Sequence, residues 1–180
     1  MTTETPEKRY QAEVKQADID HHTPTAGAMT GHIVANLVVL ADKLQQMKWY
    51  VKGINANELK GSFKGLLKQA YQQRDALGTA LIDENLITPT IRKEFAEYAM
   101  LTENGQNKYQ SAEWLINDLV HDYNTQNLFV TRAIKLAKKE DRPVLTQHLT
   151  TLLGSDNHNI AMLQALLGKT PREGLDEDED

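Results

Sequence analysis

The sequence predicts an all-α protein: a bundle of four long helices, with a short helix in the long crossover between the second and the third. Three observations carry this. Glycine and proline are sparse, at 10 and 5 of 180 residues, and β-branched runs are short, which argues against a sheet protein. Long segments repeat apolar residues at helical spacing. The connections between those segments are brief within each pair and long between the pairs, as two antiparallel hairpins require.

The first long helix is expected over residues 30–52, where Ile33, Leu37, Leu40, Leu44, Met47 and Val51 step by four and three to draw one continuous seam. Gly53 is placed to end it. After a link of three residues, 54–56, Asn57 is placed to cap a second helix with the seam Leu59, Phe63, Leu66, Ala70, Leu77 and Ala80. Residues 82–110 then form a crossover in which Thr88-Pro89 opens a short amphipathic piece through Ile91, Phe95 and Met100.

Ser111 with Glu113 starts the third long helix, apolar at Leu115, Leu119, Phe129, Ala133 and Leu136 and running to about Lys139. Asp141 and Pro143 stop it and start the fourth, with Leu145, Leu149, Leu152, Ile160, Leu163 and Leu167 on its apolar side. The polar run at residues 154–159 predicts a kink or solvated turn there. The expected organisation is an N-terminal arm at 1–29, a four-helix bundle at 30–168 and an acidic C-terminal tail at 169–180. Within the arm, residues 10–19 are weakly periodic and 23–28 read as an extended link.

Composition bounds the chemistry. There is no cysteine, which excludes disulfides, thiolate metal sites and cysteine nucleophiles; any metal must be held by carboxylate and imidazole. Residues 172–180 hold one base and six acids, leaving 19 of each sign in residues 1–171, so the net charge of −5 resides in the tail. The stretch 1–10 is polar and the longest nearly unbroken apolar run, 33–41, is too short to cross a bilayer, so the expectation is a soluble, cytoplasmic protein.

The motif Trp49-Tyr50-Val51-Lys52-Gly53, closing the first long helix ahead of a short loop, resembles the Dps family of DNA-binding, ferritin-like stress proteins. Trp49, Val51, Lys52, Gly53, Leu59 and Phe63 fall where that family places its Trp-Asn-Val-Lys-Gly box and the Leu-His and Phe-Asp positions after it. The stretch 25–32 also resembles the arm of lactobacillal members. The resemblance covers roughly residues 31–168 and implies a ferritin-like four-helix bundle and a dodecamer built from two-fold dimers. It also implies iron homeostasis with ferric iron bound inside the shell, a stress-response role, DNA as a partner and a nucleoid-associated location.

The same resemblance implies iron sites at the two-fold dimer interfaces, and here the sequence departs from the family. Lys48 stands at the position of the histidine before the tryptophan, Lys60 at that of the second histidine, and Lys64 at that of the carboxylate four residues later. Asp75 matches the first of two carboxylates facing from the partner subunit, while Thr79 takes the place of the second. An ammonium has no lone pair to give a metal, and its charge repels a cation. The expected ferroxidase site is therefore lost, leaving no catalytic residue there. The three lysines read as structural charges pairing with Asp75 or other carboxylates across a dimer, or as a buried base if one has a lowered pKa.

From Lys43 to Arg74 there are seven bases and one acid, Glu58, a balance of +6. Such a band can draw an anion or phosphate, or can be a solvated face. Asp118, His121 and Asp122 share one face of the third long helix at i, i+3 and i+4, giving either a polar bundle contact or a relocated iron site that would include Asp75. In the arm, Asp18 and His22 are candidate metal ligands, with Asp20 as an alternative partner for His22. Lys8, Arg9 and Lys15 are candidate DNA contacts, although acids outnumber bases before Ala26 by two. They suit phosphate only if the arm folds as a helix with its bases on one side. The functions these readings allow are a protective shell with passive iron storage, a ferroxidase with relocated ligands, and a purely structural assembly.

Overall fold

The computed structural model describes residues 4–175. All regular structure among them is helical: α1 (Pro6–His22), α2 (Ala26–Tyr50), α3 (Ala56–Asp83), α4 (Arg92–Tyr98), a 3-10 turn (Gly105–Tyr109), α5 (Ala112–Lys139) and α6 (Pro143–Leu166). α2 with α3 and α5 with α6 form the two hairpins, α2 packs on α5, α3 packs on α6, and α4 lies against α2. This is the predicted bundle with its short helix in the crossover.

The seams predicted for α2 and α3 are fully buried, with Ile33, Leu37, Leu40, Leu44 and Phe63 completely shielded. Leu115, Leu119, Ala133, Leu145, Leu149, Leu152, Ile160 and Leu163 close the core from the other hairpin, and Phe129, Leu136 and Leu167 pack at its edge. Burying a leucine-sized side chain contributes about 1.5–3 kcal/mol, so these seams are the main source of stability.

Several local expectations change. α2 begins at Ala26, four residues ahead of the predicted start, because the Thr25 hydroxyl accepts from Ala28 N–H and Glu140 Oε1 accepts from Ala26 N–H at 2.7 Å. The extended link therefore shrinks to the few residues between α1 and α2. The periodic piece of the arm is one full helix of 17 residues, capped by Thr5. Asn57 is not a cap: Asn55 holds that position, without a side-chain hydrogen bond, and Asn57 lies inside α3. α2 ends at Tyr50, and Gly53 supplies a backbone with φ of +117° in the turn that follows.

No solvated turn interrupts residues 154–159, and α6 is continuous helix through them. The polar residues there have partners in the bundle: Asn159 Nδ2 donates to Gln69 Oε1 at 2.7 Å, and the Ser155 hydroxyl accepts from Gln69 and Gln73. At the chain's far end, Gln164 Nε2 donates to the Glu173 carbonyl and Leu175 is buried against the core. Residues 169–175 thus pack on the body, and the five acids at 176–180 lie outside the described residues.

Side chains fix the crossover. Asn36 Oδ1, buried in α2, accepts from Met100 and Leu101 N–H, and His32 Nδ1 lies 2.7 Å from the Tyr98 carbonyl. Glu84 accepts from Leu145 N–H and from Arg142, tying the end of α3 to the start of α6.

Candidate functional site

Charged residues gather in three places, and they differ in whether the subunit itself satisfies them. The first is the bundle centre. Lys43 comes from α2 and is 5% exposed; its Nζ contacts Asp118 Oδ2 at 2.9 Å and also Asp122 Oδ2, both from α5. Residues four apart on a helix share a face, so the two carboxylates bracket one ammonium. Burial pushes the Asp122 carboxyl up to about 6, with Lys43 pulling it down and Asp118 adding to the rise.

His121, the third member of the predicted constellation, is exposed and stands apart from this pair. The structure therefore joins Asp118 and Asp122 around a lysine instead of around His121, and Asp75, exposed on α3, is not part of the group.

One turn further along α5, Gln126 Nε2 donates to Asp156 Oδ2 at 2.7 Å. Asp156 is completely buried, and that burial raises its carboxyl to about 7, partly offset by the bond from Gln126. Asp156 Oδ1 and Gln126 Oε1 are both buried acceptors that receive no donor. A protonated Asp156 is the form that supplies the missing hydrogen, since an acid and an amide can exchange two hydrogen bonds. Tyr123 beside them has its hydroxyl pushed up by burial, with Asn159 bonding it.

Lys43, Gln126 and Asp156 were not singled out as a group by the sequence reading, yet a signal exists. Lys43 sits in register between Leu40 and Met47, and Asp156 midway between Leu152 and Ile160, so each is a polar residue within an apolar seam.

The second place is the end of the α2–α3 hairpin. Lys48 is half-buried and donates to Gln45 at 3.3 Å, whereas Lys60 and Lys64 are exposed on α3 with Lys68 one turn on. Asp75 and Thr79 follow on the same exposed side. Among the described residues no carboxylate lies within ion-pair distance of Lys48, Lys60, Lys64 or Lys68. Large apolar surface accompanies them: Trp49 is 68% exposed and Ile54 is 105% exposed.

The third place is α1. Its Glu13, Ala17 and Asp20 line a cavity of about 260 Å³ against α2 and the crossover. Tyr10 donates to the buried Glu94 at 2.9 Å, pinning the helix to α4. Lys8 and Lys15, seven apart, share a different face and are exposed; Arg9 is exposed to one side of them. Asp18 and His22 are one turn apart, but the His22 Nδ1 lies 2.8 Å from the Asp18 backbone carbonyl, and Asp20 accepts from Gln16. Among the described residues no group of three or more histidine, aspartate and glutamate side chains is placed to hold a metal ion. No described helix is long and apolar enough to cross a membrane.

Comparison with known proteins places this geometry. The ferritin-like domain model matches residues 29–173. The DNA protection during starvation protein of Listeria innocua is 30% identical over 142 residues, 79% of this chain and 91% of that one, and the Listeria monocytogenes protein matches equally. Among solved structures, the Lactococcus lactis DpsA protein superposes with a TM-score of 0.89 at 34% identity, covering 94% of this chain and 99% of that one. Lactococcus lactis DpsB gives a TM-score of 0.87 at 34% identity, over 91% and 95% of the two chains.

Proposed function

Because the chain belongs to the Dps family of ferritin-like proteins, we propose that it builds a dodecameric protective shell that acts in stress and iron homeostasis without the family's dimer-interface ferroxidase site. One observation carries this reading: the framework around the site is kept, with Leu59 and Phe63 buried in the core, while Lys48, Lys60 and Lys64 occupy the ligand positions. Ferrous iron is the cargo, and it needs imidazole or carboxylate donors; three ammoniums do not fit it. Asp75 alone cannot complete the set. Iron inside such a shell is held passively, by carboxylates on the inner surface, and no oxidation step is assigned to these residues.

DNA is the second partner in this reading, supported by the relatives' name and by the geometry of α1. As a helix, the arm presents Lys8 and Lys15 on one face while Glu13 and Asp20 turn toward the cavity, which leaves the exposed Glu4, Glu7 and Asp18 against the three exposed bases. Phosphate contacts of this kind are sequence-independent and weaken with salt. Native mass measurement with and without duplex DNA tests both parts. The expected assembly has twelve times the 20.3 kDa subunit mass and shifts on adding DNA, and Lys8→Glu with Lys15→Glu abolishes the shift but keeps the assembly. A monomer or dimer with no higher species contradicts the shell, and a shift unaffected by the arm variant contradicts the role of α1.

A further inference from the structure

α1 covers the cavity of about 260 Å³ whose other walls are α2 and the crossover. Glu13, Ala17 and Asp20 stand at i, i+4 and i+7 on α1, so they share the helix face that lines it. Leu86, Ile87 and Pro89 of the crossover give the cavity an apolar wall, and the small residues Gly27, Ala28 and Gly31 keep the α2 wall low.

Three carboxylates border this space and no lysine or arginine does. Glu94 is already satisfied: its Oε2 accepts from the Thr90 and Ile91 N–H groups at 2.7 and 3.2 Å, and its Oε1 accepts from the Tyr10 hydroxyl at 2.9 Å. Asp20 accepts from Gln16 at 2.9 Å. Among the described residues no basic side chain lies within ion-pair distance of Glu13 or Asp20. At a helical rise of about 1.5 Å per residue, these two acids are about 10 Å apart along α1, with Ala17 between them.

We propose that the α1 cavity binds a linear aliphatic polyamine, with one terminal ammonium at Glu13, the other at Asp20 and the methylene chain along Ala17, Leu86 and Pro89. Two anionic ends separated by an apolar wall complement two cationic ends separated by hydrocarbon. The ring of Tyr98 in the lining also favours an ammonium. A cavity of about 150 Å³ holds a six-carbon ring, so this one has room for about ten heavy atoms, the size of a triamine such as spermidine. With its charges on α1 and its chain on the crossover, the ligand fastens the arm helix to the body beside the Tyr10–Glu94 bond. The inference requires neither iron nor DNA binding.

Calorimetric titration of the full-length protein with spermidine, putrescine and butylamine, at constant ionic strength and without DNA, tests it. Saturable binding of one spermidine per subunit is expected, with putrescine weaker because it is shorter and butylamine weaker again because it carries one charge. Glu13→Gln with Asp20→Asn should weaken spermidine about tenfold, the loss of two partly exposed ion pairs. The same loss of charge by Glu7→Gln with Asp18→Asn, both exposed on α1 away from the cavity, should leave binding unaltered. Ala28→Leu, which fills the cavity and keeps every charge, should also weaken it. Absence of saturable binding overturns the proposal, as does equal affinity for spermidine and butylamine. Binding that survives the Glu13 and Asp20 changes, or that falls equally in the two double variants, also overturns it. Failure here leaves the shell reading intact, because that reading is tested by mass and by DNA.

Discussion

Two lysines on the α2–α3 hairpin meet opposite fates. Lys43 is buried and held by Asp118 and Asp122, whereas Lys64 is exposed with no carboxylate of its own subunit in reach. Both contribute one unit to the basic balance of the segment, yet only the second contributes to its surface. Charge summed along a chain thus overstates what a ligand meets.

The sharpest way to break the comparison is to remove each lysine. Lys43→Ala leaves the buried Asp122 and the partly buried Asp118 without their cation and should destabilise the fold by about 3–5 kcal/mol in urea unfolding. Lys64→Ala, at an exposed position, should stay within about 0.5 kcal/mol. Similar losses at both sites would remove the distinction.

A smaller effect is expected from the cap that lengthens α2. Thr25→Ala deletes the hydroxyl that accepts from Ala28 N–H and should cost about 1 kcal/mol. A loss near zero would mean that Glu140 alone holds this terminus.

Dependent on pH is the effect of Asp156→Asn. The folded state holds Asp156 neutral up to about 7, while the unfolded carboxyl titrates near 3.8. Ionising it in the fold is therefore a cost that begins as pH rises above the unfolded value and levels off above 7. Asn mimics the neutral acid and can donate to Gln126 Oε1. The variant's Tm minus that of the parent should accordingly grow between pH 5 and pH 8, and a difference constant across that range contradicts a neutral Asp156. Asp122, raised to about 6, adds a parent dependence of the same sign at lower pH.

Most of the bundle is legible in the sequence because apolar spacing reports burial directly: the α2 seam from Ile33 to Val51 is wholly inside. The unbroken α6 is not legible. A polar run such as 154–159 reads as a break unless its partners are known, and Gln69, Gln73 and Gln126 lie on other helices. Lys43 is hidden for the same reason, since its role depends on two carboxylates more than 70 residues away in sequence. Lys48, Lys60 and Lys64, by contrast, are visible from residue identity, and the Trp49–Gly53 motif sets the register in which we propose that they replace the family's ligands.

Aerobic oxidation of ferrous iron, followed by absorbance of the ferric product against buffer alone, bears most directly on the displaced site. The account predicts no saturable rapid phase in the parent protein, with iron oxidising at the rate of the buffer. A fast phase that saturates at two irons per dimer-interface site would contradict it.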